Sequence, residues 1–141
     1  MKKKKGALLL VLLLAAGAVL VLSAPKQRAM GYFYRHSAEL EADVVHWQAG
    51  EPIRFDPRLT VNVWEGEHKI VEYIVAGRGL APSGTYYGFF YSPDGVPVSF
   101  QNSGEELSQQ GQDEWVWQGE GDNRGYVELL RPGWYYFEAS L

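Results

Sequence analysis

The sequence predicts an α+β fold: a single, mainly antiparallel β-sheet with one N-terminal amphipathic helix packed on it, preceded by a transmembrane helix. Three observations support this prediction. An apolar run opens the chain, and a segment with apolar residues at helical spacing follows it. Short runs rich in β-branched and aromatic residues, separated by Gly, Pro, Asn and Asp, make up the rest. If the amphipathic segment is instead a strand, the alternative is an all-β sandwich.

The apolar run lies within residues 6–24, directly after four consecutive lysines, and Ala7 to Leu22 contains no polar side chain. As a helix, residues 6–24 would rise about 28 Å at 1.5 Å per residue, close to the roughly 30 Å hydrocarbon core of a bilayer. Only Lys26 and Arg28 balance the four lysines on the far flank. The positive-inside rule therefore predicts a single-pass protein of the cell membrane, with a cytoplasmic N-terminus and an extracytoplasmic C-terminal domain.

A cleavable signal peptide is the alternative interpretation of the same run, and it would yield a secreted protein. Small residues at Ser23 and Ala24 permit this, although the apolar run is longer than that of most signal peptides. The chain is 141 residues long, which leaves room for one globular domain. We therefore divide it into three predicted segments: a transmembrane signal-anchor or signal peptide at 1–24, a juxtamembrane linker at 25–35, and an extracytoplasmic α+β domain at 36–141.

The amphipathic helix is predicted over residues 36–48. Leu40, Val44 and Trp47 recur there at near-helical spacing, with acidic residues between them. The alternation from Ala38 to Val44 also fits one face of a strand, so both readings stay open.

The rest of the chain predicts about five to seven strands, joined by connections too short for crossover helices, which makes the sheet antiparallel. Gln101 to Asp113 is polar and is expected to be a surface excursion. The predicted strands are Leu59 to Trp64, Lys69 to Ala76, Thr85 to Ser92, Val96 to Phe100, Trp115 to Gln118, Tyr126 to Leu130 and Trp134 to Ala139.

Charge and composition exclude several classes of function. Beyond Ala24 the chain has nine basic and 17 acidic side chains, a net charge of −8, which disfavours nucleic-acid binding. The absence of cysteine excludes disulfides, thiolate metal sites and a cysteine nucleophile. The three histidines lie in different predicted elements without metal-ligand spacing, so we expect no metal and no cofactor.

Aromatic residues are the most informative candidates for a ligand-binding surface. Five Trp, nine Tyr and six Phe are more rings than one inward face of a small sheet requires. Exposed rings on a rigid sheet would bind a protein, a peptide or a cell-envelope polymer; alternatively, a helix and loops cover the second face. The candidate residues are Trp64, Tyr86, Tyr87, Trp115 and Trp117, together with Asp122, Asn123 and Arg124 of the Gly119 to Gly125 loop.

The same loop contains two carboxylates, Glu120 and Asp122, which could serve as a glycosidase pair or as calcium ligands. Asp and Asn between glycines are also what a tight turn favours. No nucleophile or metal motif is recognisable, so we expect no catalytic residue. The expected function is a membrane-tethered extracytoplasmic interaction module of unknown ligand, with a small hydrolase using Glu120 and Asp122 as the alternative.

Two segments, GLAPSGTYYGFFYSPDGVPVSF and EWVWQGEGDNRGYVELLRPGWYYFEASL, resemble a group of small exported or membrane-anchored proteins of Gram-positive bacteria. The resemblance covers roughly the C-terminal half of the chain. It implies an external membrane location and a similar fold, and it implies no catalytic residue.

Overall fold

A computed structural model describes residues 24–54, 56, 58–79 and 83–141. The predicted transmembrane segment lies outside these residues except for its last position. Within the described ranges, no helix is both long enough and apolar enough to cross a membrane. The anchor and the cellular location therefore stay predictions.

The described residues form one seven-stranded antiparallel sheet with two helices, as the α+β prediction requires, and no second sheet packs on it. Its strand order is β1-β2-β3-β7-β6-β5-β4. Helix α1 occupies 24–35 in the described part of the chain, and α2 spans Ser37–Gln48. The strands are β1 Thr60–Trp64, β2 Ile70–Arg78, β3 Thr85–Tyr91, β4 Leu107–Gly111, β5 Glu114–Gln118, β6 Arg124–Arg131 and β7 Trp134–Ser140.

Both helices pack on the same side of the sheet, which we call the helix face. The prediction of a helix at 36–48 is confirmed by α2, which buries Leu40 and Val44 there. The segment predicted to be a linker, 25–35, is helical instead. Its Ala29 and Phe33 stand one turn apart and are fully buried, so this segment belongs to the folded domain.

The opposite face of the sheet is covered by residues 96–103, which we call the strap. Val98 and Phe100 of the strap are buried against Phe90 and Phe137 of the sheet. The sequence predicts a strand at Val96 to Phe100, but the strap joins no strand and ends in a 3₁₀ turn. Both faces of the sheet bury aromatic side chains. The large number of aromatic residues is therefore divided between two hydrophobic cores, one on each face.

One strand, β4, was not predicted from the sequence. The polar segment that we expected to be a surface excursion, Gln101 to Asp113, contains β4, whose sequence is LSQQG. As an edge strand paired only with β5, it needs no apolar face of its own, so hydrophobic periodicity gives no signal.

A buried carboxylate fixes the strap to the sheet. Glu72 of β2 is 1% exposed, and its two oxygens accept hydrogen bonds from the Gln101 backbone N–H at 2.9 Å and from Trp64 Nε1 at 3.1 Å. Burial raises the pKa of Glu72, against the opposing effect of these donors. Gln101 and Asn102 both have left-handed backbone angles, with φ of 56° and 52°, which non-glycine residues adopt only when held there.

Candidate functional site

Most of the aromatic residues predicted to bind a ligand pack against the core of the strap side. Trp64, Tyr86 and Trp115 are half-buried there, and Trp117 is 5% exposed. The Trp117 indole lies directly over Gly125 of β6, where a Cβ atom would be only 2.2 Å from Trp117 Nε1. These four rings are therefore parts of one packed layer, with little open ring surface.

Tyr87 is separated from these four rings because it lies on the helix face. It is half-buried, and it pairs in register with Glu138 of β7. Burial raises the pKa of Tyr87, and Glu138 adds to the effect. The structure thus splits the predicted aromatic set between the two faces.

The remaining predicted residues, Asp122, Asn123 and Arg124, belong to the turn that joins β5 to β6. The Gly119 backbone N–H donates to the Asn123 carbonyl at 2.8 Å, and Gly121 has a left-handed φ of 65°. The Gly119 to Gly125 loop therefore forms the tight turn that its Asp, Asn and Gly residues favour.

Glu120 and Asp122 are exposed in that turn. Neither lines the cavity of about 500 Å³ that is described next. Within the described ranges, no group of three or more His, Asp or Glu side chains is placed to hold a metal ion.

A cavity of about 500 Å³ lies between α1 and the segment that leads into β1. We call it the arginine pocket, after the three guanidinium groups in its wall. The α1 side and the residue after it contribute Gln27, Arg28, Gly31, Tyr32, Arg35 and His36, and the sheet side contributes Asp56, Arg58, Leu59 and Val75.

Helix periodicity places the α1 side chains in this pocket. Arg28, Tyr32 and Arg35 stand four and seven residues apart, and so share one face of the helix. Both arginines are exposed, and neither forms an ion pair among the described residues. Gly31 keeps the space between them open, since a Cβ atom there would have no atom within 4 Å.

The sheet side of the pocket is organised around Asp56. Its carboxylate accepts two hydrogen bonds from the Arg58 side chain, from Nε at 3.0 Å and Nη2 at 2.8 Å, and one from the Tyr32 hydroxyl at 2.7 Å. The hydrogen bonds from Arg58, and then that from Tyr32, hold the pKa of Asp56 well below its usual range. Burial, followed by Asp56, raises the pKa of Tyr32, so its hydroxyl keeps its proton.

The balance of charge in the lining of this pocket is positive. Three guanidinium groups face one carboxylate, whereas the chain beyond Ala24 has a net charge of −8. Asp56 fixes Arg58 by a two-point contact, and the Arg58 side chain as a whole is 82% exposed. Guanidinium groups match phosphate and carboxylate oxygens by paired hydrogen bonds. The hydroxyl of Tyr32, the tyrosine of the lining, donates to Asp56 and helps to hold that carboxylate in place.

Helix α1 is attached to the sheet on its other side by Lys26. The Lys26 ammonium forms an ion pair with Glu128 of β6, and it lies 5.1 Å from the ring centre of Tyr126 and 5.2 Å from that of Tyr136. An ammonium over tyrosine rings gains cation–π attraction in addition to the ion pair. Lys26 and Phe33 together hold α1 in place, and with it the arginine wall of the pocket.

Sequence reasoning missed the arginine pocket for two reasons. Residues 25–35 are predicted to be a linker, and nothing in the sequence distinguishes Arg58 from the other basic residues beyond Ala24. A signal was nevertheless present: Ala29 and Phe33 are apolar one turn apart, while Arg28, Tyr32 and Arg35 repeat on another face. The contribution of Arg58 to the same site depends on tertiary structure, so no pattern in the sequence indicates it.

Comparisons with known proteins add no relative: no family model, curated protein or solved structure matches this chain.

Proposed function

We propose that this chain is a membrane-tethered interaction module, with a cytoplasmic N-terminus and an extracytoplasmic domain that binds an anion-bearing ligand in the arginine pocket. The observation that carries the proposal is the convergence of Arg28, Arg35 and Arg58 around a cavity of about 500 Å³ in an otherwise acidic domain. Concave sites with a few converging polar groups are where small ligands and ligand side groups bind.

The pocket is organised before any ligand arrives. Tyr32 donates a hydrogen bond to Asp56, and Asp56 in turn accepts hydrogen bonds from Arg58. Helix α1 carries Arg28 and Arg35, and its Phe33 is fully buried. Fewer side chains then have to be ordered on binding, which lowers the entropic cost. A hydrogen bond to a charged group contributes about 1.5–3 kcal/mol, so loss of two arginines corresponds to a tenfold or greater loss of affinity.

Titration of the full chain in neutral-detergent micelles tests the pocket. We expect saturable binding of glycerol 3-phosphate by calorimetry, weakened at least tenfold in the double variant Arg28→Gln/Arg35→Gln. The matched control is Arg54→Gln/Arg78→Gln, which removes two exposed positive charges outside the pocket and should bind like the unmodified chain. No saturable binding, or equal weakening in both double variants, would refute the proposal.

The tether is tested separately. A reporter enzyme that works only outside the cytoplasm, fused after Leu141, should be active, and the protein should fractionate with membranes. Activity of a cytoplasm-specific reporter at the same position would contradict the proposed orientation.

The hydrolase alternative gains no support from the structure. Glu120 and Asp122 lie exposed in a turn, and neither lines the arginine pocket.

A further inference from the structure

Covalent reach limits how far the arginine pocket can lie from the predicted anchor. Arg28 comes six positions after Leu22, the end of the apolar run. Six steps along the chain span about 9 Å as a helix and about 21 Å at full extension. The headgroup layer on each side of a bilayer is about 5–8 Å thick. A domain tethered at this point thus keeps the α1 wall of the pocket close to the lipid phosphates.

An exposed aromatic side chain on α1 supports the same position. Tyr34 is 56% exposed, and it lies between the pocket residues Tyr32 and Arg35 in sequence. Tyrosine is enriched at the membrane–water interface, because its ring prefers an apolar environment and its hydroxyl prefers water. Arginine side chains near the same interface extend their guanidinium groups towards headgroups.

We infer that the arginine pocket binds the phosphate headgroup of an anionic phospholipid in the membrane that holds the anchor. This inference rests on the proposed function, and it names the ligand class of that pocket. The three guanidinium groups exceed the Asp56 carboxylate by two charges, and a phosphodiester anion would partly neutralise the excess. A cavity of about 500 Å³ has room for a phosphate together with its glycerol, and Gly31 leaves the entrance between the two α1 arginines open.

The lipid phosphate has one advantage over an anion in solution. The tether keeps the pocket among lipid headgroups, so binding becomes an intramolecular event at a high effective concentration. Even weak contacts from Arg28 and Arg35 then suffice to keep the site occupied, and the domain would rest against the bilayer instead of moving freely.

The experiment uses the full chain in lipid nanodiscs made of phosphatidylcholine alone or with added phosphatidylglycerol. A ligand that binds only the folded state raises Tm, and we expect phosphatidylglycerol to raise it by roughly 4 °C. The rise should disappear in Arg28→Gln/Arg35→Gln and persist in the control Arg54→Gln/Arg78→Gln. A second variant, Gly31→Leu, keeps every charge but fills the entrance, and it should lose the rise as well.

The outcomes separate this inference from the proposed function. Binding of glycerol 3-phosphate in micelles without any response to phosphatidylglycerol would overturn the lipid assignment and leave the anion site standing. An equal response in the unmodified chain and in the Arg28→Gln/Arg35→Gln variant would also overturn it, since the lipid would then act outside the pocket. Absence of both responses would overturn both statements.

Discussion

Two carboxylates that lie on opposite sides of the sheet, Asp56 and Glu72, have pKa values shifted in opposite directions. Asp56, at the arginine pocket, contacts a guanidinium group, and its pKa lies well below the usual range because of the Arg58 hydrogen bonds. Glu72, under the strap, contacts only neutral N–H donors, and its pKa is raised by burial. One carboxylate is kept ionised at a site that opens to solvent, and the other is enclosed.

The difference distinguishes a carboxylate that stabilises the fold from one that positions a solvent-exposed cation. Glu72 satisfies donors that would otherwise be buried without a partner, which is a structural role. Asp56 instead positions Arg58, whose side chain is 82% exposed, so the positive charge that Asp56 holds in place is in contact with solvent. Of these two carboxylates, only Asp56 therefore has a charged partner that a ligand in solvent could reach.

The largest expected effect comes from removing the enclosed carboxylate. Glu72→Ala leaves the Trp64 Nε1–H and the Gln101 N–H without an acceptor, and the free energy of unfolding should fall by about 3 kcal/mol. Urea unfolding of the full chain in micelles, followed by tryptophan fluorescence, measures this. Glu106→Ala, which removes an exposed carboxylate, is the control and should change stability little. Equal stability of the two variants would contradict a structural role for Glu72.

The next prediction is that the two carboxylates give opposite pH dependences. The folded state holds the Glu72 proton above the usual pKa of 4.5, so this group's contribution to stability falls as the pH rises from 4.5 through the raised value. The contribution of Asp56 is present above its usual 3.8 and is lost as the pH falls through the depressed value. Unfolding curves of Glu72→Gln and Asp56→Asn against pH test both signs, and a shared sign would contradict the comparison.

A smaller effect is expected on ligand binding. Asp56→Asn removes the one negative charge of the pocket, and two charges about 4 Å apart interact by about 1 kcal/mol in water. The affinity for glycerol 3-phosphate should therefore rise about fivefold in calorimetric titrations. Glu72→Gln should leave that affinity unchanged, because Glu72 lies on the other face. A drop in affinity on Asp56→Asn would mean that positioning of Arg58 outweighs the charge.

The smallest effect concerns Gly31. Gly31→Ala places a methyl group where nothing lies within 4 Å, and alanine in a helix is favoured over glycine by about 0.5–1 kcal/mol. Thermal unfolding should show a slight gain in stability, with unchanged binding of glycerol 3-phosphate. A loss of binding would show that the entrance tolerates no added atom.

Much of the sheet could be predicted from the sequence. The aromatic segments of β3 and β7 are recovered to within a residue, because β-branched and aromatic runs bounded by turn residues determine strands locally. The strap could not be predicted, since its shape depends on Glu72, some 29 positions away from Gln101. Burial of Trp117 was equally hidden, because it depends on the missing side chain of Gly125 on the next strand.

The attachment of α1 by Lys26 has a mechanical consequence. A pull on the N-terminal side of the domain acts first on the Lys26–Glu128 contact and only then on the strands. Each further turn of α1 that peels away would uncover Phe33 and carry Arg28 off from Arg58. Tension would thus open the pocket before it unravels the sheet, and force spectroscopy with and without glycerol 3-phosphate would show the first rupture shifting to higher load when the pocket is filled.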